Sequence, residues 1–271
     1  MPQYLYRYRP FNQNALLELI HGELYFSSPA SFNDPFDGNN MFSFDGATDD
    51  HWRTFLEKFS IRSYPDLSPE DRKERIDTII RSGAHREKEF HALQQESWGR
   101  ILTKLNEGYG VACLSSNPDD ILMWSHYGGC HKGFCLIFDR APLQQVFLCQ
   151  EVTYSVTYPV FGEFVGQDFN GIAKSFLFTK SDHWAYESEY RLLVDPRTRA
   201  DKPGDRLYPI PEGALLGVIF GCRMPQKDRL TIREVVSRKW PKILIFEAKK
   251  SLNSYSVEIE PIGKKEQGDG V

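Results

Sequence analysis

The chain has 271 residues, 41% of them hydrophobic, which is enough to build the core of one large domain or two small ones. Its 33 basic and 37 acidic residues leave a net charge of −4, which excludes a uniformly basic nucleic-acid coat. No apolar run reaches membrane-span length, the first residues lack the layout of a signal peptide, and five cysteines in unpatterned spacing point to reduced thiols, so a cytoplasmic protein with no membrane partner is expected.

In chain order, Tyr4–Arg9 reads as a short strand with Arg7 and Arg9 on one face and Tyr4, Tyr6 and Tyr8 on the other. Ala15, Leu16, Leu19 and Ile20 recur at helical spacing, with Asn12 or Asn14 as the cap and Gly22 as the stop. A second strand at 23–27 runs into a loop dense in turn residues, which contains Asn33, Asp34, Pro35, Phe36 and Asp37. Two readings of that loop stand side by side: a capped turn, or carboxylates that contact a ligand.

The character changes near residue 49. A helix through Trp52, Phe55, Leu56 and Phe59 is followed by a strong helix start at Ser68, with Pro69 at the first helical position and acids in the first turn. A break is expected at Ser82-Gly83, and the helical pattern continues to Leu105. Residues 45–107 therefore read as a helical insertion in a single α+β domain spanning 1–262, with 263–271 as a frayed tail.

Residues 108–116 form the next expected strand, followed by a short helix through Trp124 to Tyr127 and a buried strand at 133–139. Further strands are expected at 147–154, 190–194, 214–221, 242–248 and 255–260. The stretch 184–196 alternates with period two, so Glu187, Glu189 and Arg191 share one face of a strand and Tyr186, Ser188, Tyr190, Leu192 and Val194 the other. That pattern is either an antiparallel strand with one wet face or a pair of working carboxylates on a rigid element.

Other chemistries find little footing. No phosphate-binding glycine loop and no nucleophile elbow occurs. Cys113 and Cys135 lie in apolar strands and read as inert core thiols. His126, Cys130 and His131 have no matching second ligand pair, so no metal site is assigned.

Four segments carry a resemblance: the Leu-Tyr-Arg-Tyr-Arg-Pro start, Phe-Asn-Asp-Pro-Phe-Asp, the Trp124–Asp139 stretch, and Trp184-Ala-Tyr-Glu-Ser-Glu-Tyr-Arg191. Together they resemble a widespread bacterial family of unknown function. The order of parts is also similar to the ADP-ribosyltransferase fold, whose members split NAD between nicotinamide and ribose. That resemblance implies mixed and antiparallel sheets, Glu189 as the catalytic carboxylate and Glu187 as the group that orients or deprotonates an acceptor. It sets Arg7 where the polymerase type carries a His, and it makes Arg7, Arg9, Ser115, Trp124, Tyr127, Asn33 and Asp34 the residues that hold NAD. Arg7 would pair with the pyrophosphate, and Tyr127 or Trp124 would stack on nicotinamide. Cys113 departs from the pattern, since the polymerase type has an aromatic there.

The expected activity is transfer of ADP-ribose from NAD to a protein or nucleic-acid acceptor, in a toxin or phage-defence setting. Two alternatives come from other classes. One is a metal-dependent hydrolase or nuclease using Asp34, Asp37, His126 and His131. The other is a non-catalytic sensor that binds a ligand in the same cleft.

Overall fold

In a computed structural model, residues 1–38, 42–165, 169–198, 201–202 and 204–262 are described. The expected tail at 263–271 lies outside them. The chain opens with strand β1 (Tyr4–Arg9), helix α1 (Gln13–His21) and strand β2 (Glu23–Tyr25). A helical excursion follows, with α2 (Asp49–Ser63), α3 (Pro69–Ser82) and α4 (Lys88–Gly108). The next run gives β3 (Gly110–Ser115), α5 (Ile121–His126), β4 (Phe134–Asp139), α6 (Arg140–Val146) and β5 (Leu148–Glu151). A second excursion contributes β6 (Thr153–Ser155), α7 (Phe161–Phe164), α8 (Phe169–Leu177) and β7 (Thr179–Ser181). The remainder supplies β8 (Glu189–Val194), β9 (Leu207–Pro209), β10 (Leu215–Phe220), α9 (Gln226–Lys239), β11 (Leu244–Lys250) and β12 (Val257–Pro261). The class is α+β. Among the described residues, no helix is long and apolar enough to cross a membrane.

The helix ends follow from local chemistry. Asn12 caps α1 by accepting the Ala15 amide at 2.9 Å, and Gly22 closes the helix at φ 73°. A Cβ there would adopt a left-handed backbone only at a cost, so glycine is the natural stop. Ser68 caps α3 through the Asp71 amide, Pro69 occupies the first turn, and Gly83 ends the helix in the left-handed region. Thr48 caps α2 in a reciprocal pair with His51.

Contacts divide the chain into two compact units. One comprises Met1–Ser28, Tyr109–Val152 and His183–Val271, and the other Pro29–Gly108 and Thr153–Asp182. The helical stretch 45–107 lies in the second unit, which also takes the 29–38 loop and the later segment 153–182. This unit is held by an aromatic cluster: Trp52 stacks on Phe161 at 4.6 Å between centroids, and Phe42 meets Phe176 edge-on at 4.7 Å. Such pairs add about 1 kcal/mol each beyond area burial.

The first unit is organised by an eight-stranded sheet in the order β12-β11-β10-β4-β1-β3-β8-β5. It is mixed, because β10 and β11 run parallel while β1 with β4, β3 with β8 and β5 with β8 are antiparallel. Both faces are covered. Leu5, Leu114, Leu136, Tyr190, Leu192 and Val218 form the core of one face beneath α1 and α9, with Ala15, Leu19, Ile232 and Val236. Tyr8, Cys135 and Ile219 form the other beneath α5, with Met123 and Trp124.

Candidate functional site

Register decides which residues meet. Tyr6 is opposite Ser115 across the β1–β3 pair, and Ser115 is opposite Glu189 across the β3–β8 pair. Residues paired across a sheet share a face. Tyr6, Ser115 and Glu189 therefore form one row on three adjacent strands, on the α5 face. Two residues along β8, Arg191 stands opposite Cys113.

Glu189 and Arg191 are almost wholly buried and make a forked pair. Arg191 Nε donates to Glu189 Oε1 at 2.8 Å and Nη2 donates to Oε2 at 3.0 Å. This bidentate geometry fixes the carboxylate plane. Buried charges of this kind are held only when paired, since an isolated one would cost several kcal/mol.

Glu187 arrives by a different route from the one the alternation predicts. Residues Asp182–Glu187 form a 3-10 turn, and the strand begins only at Glu189. Between them Ser188 sits at φ 45°, in the left-handed region, and its carbonyl accepts from the Ser116 amide at 2.9 Å. The kink breaks period two, so Glu187 does not extend the strand's carboxylate row. It is 3% exposed, and its Oε1 accepts from the Tyr127 hydroxyl at 2.6 Å. Ser115 Oγ donates to the Glu187 carbonyl at 2.6 Å and accepts from the Asn117 amide at 3.0 Å. The Ser115 hydroxyl thus pins the turn to the end of β3.

The remaining predicted residues fall elsewhere. Arg7 and Arg9 share the Leu5 face, under α1, whereas Glu189 lies on the opposite face. Arg7 Nη2 donates to the Tyr25 carbonyl at 2.9 Å and lies 3.4 Å from Glu18 Oε1, and Arg9 Nη2 lies 3.1 Å from the same oxygen. A pyrophosphate role for Arg7 beside Glu189, with Arg9 as a further NAD contact, does not survive this placement. The residue of β1 in line with Glu189 is Tyr6, on the strand face opposite Arg7 and Arg9. The only signal that could have found it is strand register, which no single strand carries.

Trp124 is fully buried, with its indole N–H donating to the Pro118 carbonyl at 2.9 Å and its ring edge-on to Tyr8 at 5.0 Å. It is a core residue without an open stacking face, which leaves half-buried Tyr127 as the aromatic beside Glu187. Asn33 and Asp34 belong to the other unit. There Asp34 Oδ1 accepts from the Phe36 amide at 2.9 Å, and Asp37 pairs with Lys180 at 3.5 Å. Cys113, expected in the core, is exposed, on the same face of β3 as Ser115. Cys135 is buried as expected, and burial pushes its thiol well above the ordinary range.

His126 Nδ1 lies 3.0 Å from the Tyr186 hydroxyl, while His131 faces Ser125 and Cys222. Among the described residues no three His, Cys, Asp or Glu side chains come together as a metal site would require.

Residues 123–192 match the family described as "Protein of unknown function (DUF2971)". The matched stretch begins in α5 and ends within β8, so it contains Tyr127, Glu187, Glu189 and Arg191 but neither β1 nor β3. No curated protein and no solved structure matches the chain.

Proposed function

We propose that the protein cleaves the bond between nicotinamide and ribose in NAD and passes ADP-ribose to a protein or nucleic-acid acceptor, with water as the default acceptor. The observation that carries this reading is the row Tyr6–Ser115–Glu189 on three neighbouring strands, with Glu187 and Tyr127 beside it. The resemblance assigns the reaction to the first strand, the second strand and a glutamate-bearing strand, and β1, β3 and β8 are consecutive in the sheet.

The chemistry suits two carboxylates with different surroundings. Loss of nicotinamide leaves positive charge on the ribose ring, and a carboxylate already fixed in place stabilises that charge without reorganising. Glu189 has this role, its plane set by the Arg191 fork. Glu187 takes the acceptor's proton as nucleophilic attack proceeds. The Tyr127 hydroxyl orients Glu187, and its ring supplies a flat apolar wall for nicotinamide.

The test is nicotinamide release from NAD by the wild-type protein and by Glu189→Gln, with and without cell extract and nucleic acid. Release is expected to fall at least about a hundredfold in the variant, while a melting transition and NAD binding persist. Absence of release by folded wild-type protein in every arm overturns the proposal. Release that survives Glu189→Gln removes Glu189 from it.

A further inference from the structure

A second cluster of reactive side chains lies where the chain leaves α5, and the proposed reaction does not use it. Gly129, Cys130 and His131 follow one another at φ 58°, 55° and 64°. L side chains enter that region only under strain, and strained backbone persists where the surroundings over-determine it. Here they do. The Cys130 amide donates to the Ser125 carbonyl at 3.2 Å, and the His131 amide to the Trp124 carbonyl at 3.0 Å. From the end of β10, the Arg223 amide donates to the His131 carbonyl and the Gly221 amide to the Gly133 carbonyl, both at 2.9 Å. A Cβ on Gly221 would stand 2.4 Å from the His131 carbonyl oxygen, so only glycine lets the two segments meet this closely.

The result is an imidazole held between two nucleophiles. His131 Nε2 lies 3.1 Å from Ser125 Oγ, and Nδ1 lies 3.8 Å from Cys222 Sγ. The ring runs nearly parallel to Trp124, at 16° and 6.4 Å between centroids. Burial first, and then the Arg223 guanidinium, lowers the pKa of His131 below its ordinary 6.5. The neutral ring has one N–H and one lone pair. With Nε2–H donating to Ser125, Nδ1 is the acceptor that faces the thiol. Cys222, His131 and Ser125 are each partly exposed, so a small solute reaches the sulfur.

We propose that Cys222 is a reactive thiol, with His131 as its proton acceptor and Ser125 as the group that orients His131, and that small peroxides oxidise it. In the step, Sγ attacks one peroxide oxygen, the S–O bond forms and the O–O bond breaks. The thiol proton passes through His131 Nδ1 to the departing hydroxide, which leaves as water. Sulfur gives up two electrons and becomes a sulfenic acid, and the peroxide is reduced. The size of the reagent follows from the site, since a half-buried thiol behind a tight turn admits a small electrophile and turns away a bulky one.

The other cysteines supply the controls. Cys135 is buried, and burial pushes Cys149 up to about 11. Cys113 and Cys130 are the exposed ones, so accessibility alone would make them react first. The experiment exposes the whole folded chain to sub-stoichiometric hydrogen peroxide with dimedone and measures the adduct at each cysteine by peptide mass spectrometry. Cys222 is expected to label about tenfold faster than Cys113 or Cys130, and His131→Asn to bring it down to their level while theirs is unchanged. Labelling of Cys222 no faster than Cys130 in the wild type overturns the proposal, as does a folded His131→Asn protein with undiminished Cys222 labelling. The wild-type ranking decides by itself if His131→Asn does not fold.

Discussion

Two arginine–glutamate clusters are buried on opposite faces of the same sheet, and they are built to different standards. On the α5 face, Arg191 and Glu189 meet two bonds to two bonds. On the α1 face, two guanidiniums and the Tyr25 amide crowd onto the single oxygen Glu18 Oε1. Among the described residues, Arg7 Nη1, Arg9 Nε and Glu18 Oε2 are buried without a hydrogen-bond partner. Desolvation, and then the neighbouring Arg7, lowers Arg9 to about 10. A forked pair fixes a carboxylate's position to a degree that catalysis can use, whereas a shared oxygen anchors a helix to a sheet. On the proposed reading, the difference fits chemistry on one face and architecture on the other.

The sharpest way to break this contrast is to neutralise each glutamate in turn. Glu189→Gln is expected to lower nicotinamide release at least about a hundredfold. It also takes from buried Arg191 the carboxylate that its forked pair is made with, at a stability cost of about 3 kcal/mol. Glu18→Gln strands Arg7 and Arg9 in the same way and is expected to cost a similar amount. Its release rate per folded molecule should nevertheless match the wild type. Equal loss of activity in the two variants, measured beside their denaturant midpoints, would erase the distinction between the faces.

Ser115→Ala probes a smaller effect on the α5 face. Both hydrogen-bonding directions of this fully buried hydroxyl are taken, one by the Glu187 carbonyl and one by the Asn117 amide. Its removal is expected to cost about 1 kcal/mol of stability. The KM for NAD should change little, because the hydroxyl is fully buried and its proton is committed to the Glu187 carbonyl. A large rise in KM with an unchanged melting temperature would restore Ser115 to the list of NAD contacts.

How much of this was legible in the sequence depends on whether a feature is local. Gly22, Ser68 and Gly83 were read correctly as helix boundaries, and Asn12 was one of two candidates for the first cap, because a cap is a contact between residues three or four apart. The pairing of Glu189 with Arg191 was equally legible, since both lie on one strand face. The face on which Arg7 and Arg9 lie relative to Glu189 was not. Within β1 their parity is plain, but matching that parity to β8 needs the register of two further strand pairs, and a slip of one residue reverses the answer. Glu187 failed for another reason: the left-handed Ser188 interrupts the alternation, and nothing in its residue type announces that conformation. Exposure of Cys113 is again a tertiary property, which the sequence of one strand does not carry.

The smallest expected effect concerns the turn after α5 and its dependence on pH. His131 has a folded-state pKa below its ordinary 6.5, through burial and then the Arg223 guanidinium. In the unfolded chain the imidazole takes up its proton near pH 6.5, while the folded protein resists doing so. Stability tied to the neutral ring is therefore fully present above that pH. It is lost as pH falls through the window between the unfolded and the folded value, and it levels off below. Denaturant midpoints measured between pH 7.5 and pH 5 should show a modest decline in the wild type, and His131→Asn should remove that part of the slope while other groups still titrate. An identical slope in the variant would mean that His131 is equally easy to protonate in both states. It would then no longer be held neutral as the acceptor facing Cys222, and the turn would belong with the α1 face as architecture alone.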